Sequence, residues 1–197
     1  MKYFVLKESY DEGNVYVSDI PEGLLRKYQL LKGISRVAGW PSDLAARFSD
    51  NRPEGMKLTD WVSSAFGWLL ISGRFKQLIE EAGAPDTEYL PIKLKNHKGR
   101  LASADYWIVN FLRLGDAVDR ERSAFEVDAA EDDRIFRFDR LVLLDEFEAR
   151  GPVIFRLKEQ PVLIMVREDL VTRIQVAGLT GLRFTATADY KTYDPDD

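Results

Sequence analysis

Short apolar runs of strand length alternate along this chain with amphipathic stretches of helical period. Trp68-Leu69-Leu70-Ile71 is a continuous apolar run and reads as a buried strand. Phe75, Leu78, Ile79 and Ala82 follow at helical spacing, and Gly83 ends the helix. Leu163-Ile164-Met165-Val166 opens a second passage of the same kind, with Leu170, Ile174 and Ala177 on one helical face and Gly178 as its stop. An ungapped offset of 95 residues superposes Ile71 on Val166, Phe75 on Leu170, Ile79 on Ile174, Ala82 on Ala177 and Gly83 on Gly178. Each passage continues into a strand, over residues 89–94 and 182–187. Two strand–helix–strand units of this kind read either as a duplication or as two ordinary α/β units.

The remaining pattern is richer in strands. Residues 3–6 read as a first strand, with residues 14–17 as its hairpin partner beyond the turn Asp11-Glu12-Gly13. Asp19 is placed to cap a helix with Pro21 in its first turn, Leu24, Tyr28 and Leu31 on one face, and Gly33 as the stop. Residues 40–56 are turn-rich, with room for one short helix after Ser42. Residues 106–112, 135–144 and 152–157 are aromatic- or β-branched-rich and of strand length. The expectation is an α+β fold: a mixed, largely antiparallel sheet with helices on one face, containing the two strand–helix–strand units. No linker interrupts residues 1–197, so a single domain is expected, with residues 1–57 the least defined part. The apolar phases place Leu70, Phe75, Ile79, Ile108, Phe111, Ile154, Ile164, Met165, Leu170 and Ile174 in the core.

Composition narrows the chemistry. A chain of 197 residues with 45% hydrophobic side chains needs no covalent staple, since at this size ~70% of the unfolded surface is buried on folding. With no cysteine there are no disulfides, thiolate metal sites or thiol nucleophile, and one histidine rules out a His-rich metal centre. The apolar stretch at the N-terminus is only four residues long, too short for a secretory h-region, and no run reaches membrane-span length. A soluble cytoplasmic protein is the expectation.

Charge is unevenly distributed. Residues 1–98 carry 14 basic and 13 acidic side chains, and residues 99–197 carry 14 and 20. Within the second half, the stretch 116–133 holds eight acids (Asp116, Asp119, Glu121, Glu126, Asp128, Glu131, Asp132 and Asp133) against Arg120 and Arg122. Nucleic-acid binding is disfavoured, because phosphate contacts need clustered Lys and Arg. An acidic stretch is ordinarily a solvated loop; its functional reading is a face for a basic partner, with Phe125 inside it as an apolar anchor.

No motif announces catalysis. His97 lies in Lys95-Asn96-His97-Lys98-Gly99, which reads as a hairpin turn. Ser72 reads as a helix cap, and Gly178-Leu179-Thr180-Gly181 follows a helix rather than opening one, the wrong polarity for a phosphate loop. Residues 128–133 lack the ligand alternation and central glycine of a calcium loop. Paired carboxylates alone would suffice for a glycosidase, but every soluble protein offers them. Neither a cofactor nor a metal is implied. A hydrolase using paired carboxylates and a structural or regulatory module remain the alternatives to a binding protein.

The order of these elements resembles a bacterial immunity-protein family of polymorphic toxin systems, typified by a myxobacterial protein and first catalogued as a domain of unknown function. The segments carrying the resemblance are residues 70–80 and 88–94, residues 106–112 with Asp116, Asp119 and Ser123 after them, and residues 152–158, 163–166 and 178–184. They span residues 58–187; residues 1–57 match only in their short opening strand. The resemblance implies an α+β protein that neutralises a cognate toxin by binding, in the cytoplasm, with no catalytic residues to carry over. A toxin partner, basic in character, would meet Asp116, Asp119, Phe125, Asp128, Glu131, Asp132 and Asp133.

Overall fold

Apolar runs become central strands where both faces can be covered, and alternating segments become half-covered ones. In chain order the strands are β1 (Tyr3–Glu8), β2 (Tyr16–Val17), β3 (Ala45–Arg47), β4 (Trp61–Ser64), β5 (Leu69–Ser72), β6 (Thr87–Lys95) and β7 (Leu101–Phe111). They continue with β8 (Leu114–Gly115), β9 (Ala124–Asp128), β10 (Glu131–Arg140), β11 (Ile154–Leu157), β12 (Ile164–Arg167) and β13 (Leu182–Ala186). The α-helices are α1 (Gly73–Glu81), α2 (Asp145–Arg150) and α3 (Glu168–Val176), with 3-10 turns at Lys27–Leu31 and Thr187–Asp189. The computed structural model describes residues 1–19, 21, 24, 26–129 and 131–193, with Glu131 and Asp132 described in their backbone only.

The fold is mixed α+β, but its strands do not form the one sheet expected. Two larger sheets run β2-β4-β5-β7-β6-β3 and β13-β1-β12-β11-β8, while β9 and β10 form a separate hairpin. In the first, β5 and β6 both pair antiparallel with β7, through Ile71↔Trp107 and Leu90↔Ile108. In the second, β12 and β13 both pair antiparallel with β1, through Val5↔Met165 and Leu6↔Phe184. Helices α1 and α3 each connect two such flanking strands, and the two helices touch.

Three apolar clusters follow from strand alternation. Leu69, Ile71, Val109 and Phe111 of the first sheet meet Leu6, Ile154, Ile164 and Val166 of the second around Phe75, Ile79, Leu170 and Ile174 of the helices. Leu70, Leu90, Ile92, Leu94 and Ile108 face the other way, against Val15, Val17, Leu30, Leu44 and Phe48. Val5, Phe155, Leu157 and Met165 likewise turn from the helices toward Val118, Ile135, Phe138 and Leu143. All ten core residues read from the sequence are buried.

The helix ends have local causes. Ser72 Oγ accepts the Phe75 N–H at 3.3 Å, capping α1. The first turn of α3 instead carries Glu168 and Asp169, whose charges suit the helix N-terminus. Both helices stop at a left-handed glycine, Gly83 with φ of 69° and Gly178 with φ of 63°.

The N-terminal third departs from its sequence pattern. β2 does not pair with β1, whose two edges are taken by β12 and β13; it lies parallel to β4 through Tyr16↔Ser63. The helix expected from Asp19 falls partly outside the described residues; what is described is the 3-10 turn Lys27–Leu31, preceded by Arg26 at φ 52°. Leu24 is buried and Leu31 packs on the core as expected, but Tyr28 is exposed and Leu30 is buried in its place. After Ser42 the chain forms β3, parallel to β6, instead of a helix. The strand-like run 135–144 ends at Arg140, and Leu141 and Leu143 are buried without extending it.

Candidate partner-binding surface

The acidic stretch is largely a hairpin. Ile135 and Phe138 of β10 are buried in the third cluster, and Phe125 of β9 meets Phe138 edge-on with 6.3 Å between ring centroids. Phe125 is thus half-buried on the hairpin's inner side, with the Arg120 guanidinium 5.6 Å over its ring. The apolar side chains this hairpin offers to solvent are Val127 and Phe136, each about half exposed. A sequence signal for Phe136 exists: Ile135 and Phe136 are neighbours, and adjacent residues of a strand point to opposite faces.

Asp116 and Glu126 are paired with residues outside the acidic stretch. Lys158 Nζ donates to Asp116 Oδ2 at 2.6 Å, holding the Asp116 carboxyl below its ordinary pKa. Arg137 Nη2 donates to Glu126 Oε1 at 2.7 Å. Asp119 Oδ1 accepts the backbone N–H groups of Arg122 and Glu121 at 2.8 and 3.1 Å, and Arg122 bridges Asp119 to Asp145. These bonds lower the Asp119 pKa, the Arg122 N–H contributing most. Ser123 Oγ accepts from Val142 N at 3.0 Å, fixing the entry to the hairpin against the β10 exit. Asp128 is half-buried and Asp133 exposed, while the side chains of Glu131 and Asp132 lie outside the described residues.

One acid near this surface is absent from the sequence reading. Glu159 is 4% exposed, and its Oε2 has no hydrogen-bond partner. Burial pushes its carboxyl up to about 7, and a side-chain hydrogen bond with Asp116 acts in the same direction. Asp116, ionised and held by Lys158, thus favours the protonated form of Glu159. Since the Ile135 N–H donates to the Glu159 carbonyl at 2.9 Å and Ile135 pairs with Val127, this pair lies beside the turn half of the hairpin.

Other segments singled out in the sequence prove to be staples. Asp60 Oδ2 accepts from Thr180 N at 2.9 Å and from Thr180 Oγ1 at 3.1 Å, while Ser72 Oγ donates to Asp60 Oδ1 at 2.7 Å. Asp60 thereby ties the Gly178–Gly181 turn to the start of α1. A Cβ at Gly181, where φ is 82°, would stand 2.2 Å from the Trp61 carbonyl oxygen. His97 occupies the β6–β7 turn as expected, but it is not isolated: its ring meets Phe48 edge-on, Nε2 is 3.3 Å from the Gly55 carbonyl, and Asp50 is 3.7 Å from Nδ1. These contacts dock residues 50–55 on the turn. Among the described residues no group of three or more His, Cys, Asp or Glu is placed to hold a metal. No helix in that set is long and apolar enough to cross a membrane.

This surface is a charge-patterned hairpin on which Val127 and Phe136 are half exposed. Comparison with curated proteins gives no match. The family model described as "Immunity protein family (Imm11)" matches residues 4–189, extending the likeness through β1 and the N-terminal third. The chain belongs to the Imm11 immunity protein family.

Proposed function

We propose that this chain protects a bacterial cell by binding and occluding a cognate toxin in the cytoplasm, without catalysis of its own. The match of an immunity family over residues 4–189 is the observation that carries this reading. The chain 1–197 acts as one domain, and its two strand–helix–strand units are scaffold, presenting the β9–β10 hairpin as the contact face. Asp128, Glu131, Asp132 and Asp133 meet a basic toxin surface, with Asp116, Asp119 and the inward-packed Phe125 holding the hairpin in shape. Coexpression with the toxin encoded beside its gene tests this. Occlusion protects in proportion to stoichiometry and yields a complex isolable by gel filtration. Protection by trace amounts of the chain, with no complex, would point to enzymatic neutralisation and overturn it.

A further inference from the structure

Beside the start of β10, the surface opens into a groove of about 580 Å3 between the Lys27–Leu31 turn, β8 and the segment that follows β11. Tyr28, Ile34, Leu114 and Val162 line it and are 58%, 43%, 44% and 48% exposed. Four large apolar side chains from three separate segments, gathered in one exposed concavity, are a recognised mark of an interaction site.

Buried polar groups hold the walls of this groove. Arg156 is 3% exposed, and all its acceptors are backbone carbonyls. Nε donates to Phe111 O at 2.9 Å, Nη1 to Pro161 O at 2.8 Å and Nη2 to Leu30 O at 2.8 Å. One guanidinium thus spans from one wall to the other across the end of β7. Burying a cation without a carboxylate is costly, and here burial lowers the Arg156 pKa to about 10. The wall around Ile34 has its own anchor: Glu88, buried on β6, accepts from Ser35 Oγ, from Arg36 N at 2.9 Å and from Asn110 Nδ2 at 3.1 Å. Asn110 Nδ2 also donates to Ile34 O at 2.9 Å. Gly33, at φ 65°, lets the chain pass so close that a Cβ would lie 2.9 Å from Phe111 O and 3.3 Å from Arg156 Cδ. The groove is therefore preformed, and a preformed site binds with little loss of conformational freedom.

We infer that this groove receives an apolar side chain projecting from a basic surface of the cognate toxin. The inference rests on the immunity reading and names the contact chemistry of that partner. Charge indicates the occupant. Asp133, at the rim, begins the way into the acidic hairpin, and the rim's Lys158 is already bound to Asp116. Lys32 and Arg134 stand on the same rim, so the groove itself is lined by three cations and one acid, and the acidic surplus lies beyond it in the hairpin sequence. A basic surface carrying one apolar projection would satisfy both parts, with the projection supplying the desolvated anchor that hairpin charges cannot.

The test uses the full chain and a purified, catalytically inactive form of the toxin encoded beside its gene. Leu114→Glu and Val162→Glu each lower affinity by at least ~30-fold, as expected when a central anchor is lost, with thermal melting unchanged. Should either glutamate variant melt early, Leu114→Ser and Val162→Ser carry the same reading with a loss of about 10-fold. Affinity within threefold of wild type in stably folded variants overturns the groove assignment and leaves the immunity reading standing. Failure of the wild-type chain to bind the toxin overturns both. A wild-type dimer in sedimentation that Leu114→Glu dissociates assigns the groove to a second copy of this chain and overturns the toxin assignment.

Discussion

At the residue scale, Glu159 makes stability depend on pH in a direction opposite to that of the acids held low by hydrogen bonds and ion pairs. Its folded pKa, about 7, lies above the ordinary 4.5, so folding favours the protonated form. That contribution is complete below pH 4.5 and is lost as pH rises through about 7. The acids held low, among them Asp116, Asp119 and Asp169, act in the other sense and only below the ordinary carboxyl range. Glu8, which burial raises, adds to the Glu159 trend, so the comparison must be between variant and wild type. Glu159→Gln keeps the size and polarity of the side chain without the ionisation. Denaturant titrations from pH 5 to 8 should show wild-type stability falling as the pH rises and the variant falling less; parallel curves would remove Glu159 from the pH response. None of this was legible in the sequence. Glu159 lies 43 positions from Asp116, just as Asp60 lies 120 from Thr180, and local patterns do not record such separations. What could be read locally was the turn chemistry, such as the Ser72 cap and the Gly83 and Gly178 stops.

At the element scale, legibility follows burial on both sides. The runs around Leu70 and Met165 are covered on two faces, so their apolar character is continuous and their neighbouring helices show a clear phase. Edge pieces such as β2, β3 and β8 have two or three residues, and only tertiary pairing makes them strands. β9 reads as a loop because Glu126 and Asp128 interrupt its apolar positions, although Phe125 faces inward. Phe75 and Leu170 test the helical phase directly. They occupy matching places in α1 and α3, are 0% and 1% exposed, and belong to the same cluster. Phe75→Ala and Leu170→Ala should each cost ~2–5 kcal/mol in chemical denaturation, through lost transfer energy and a residual cavity. Because the two sites share that cluster, the double variant should depart from additivity, and strict additivity would mean that the helices do not share a core.

At the scale of the whole molecule, the proposed function divides recognition between charge and shape. The net charge is −5, and the local surplus in residues 116–133 is tempered in the fold by Arg137 and Lys158 reaching in from outside the stretch. Counterions from distant segments are the reason a charge count along the sequence overstates the field of the surface. Close pairs such as Asp116–Lys158 contribute little at a distance, so acids at the hairpin turn dominate the long-range field. Such a field accelerates encounter with a basic partner, while the rate of escape is set by desolvated contacts. The combined variant Asp128→Asn, Glu131→Gln, Asp132→Asn and Asp133→Asn should therefore slow association with the toxin several-fold at low salt and leave dissociation nearly unchanged. Screening shortens from ~10 Å at 0.1 M to ~3 Å at 1 M, so the two association rates should converge as salt is added. Leu114→Glu should show the inverse pattern, with faster dissociation and a salt dependence like that of the wild type. Stopped-flow association and chase-dissociation at three salt concentrations separate the two. A quadruple variant whose association rate equals wild type at every salt concentration would remove the hairpin from the encounter, and the acidic surplus would then serve only solubility.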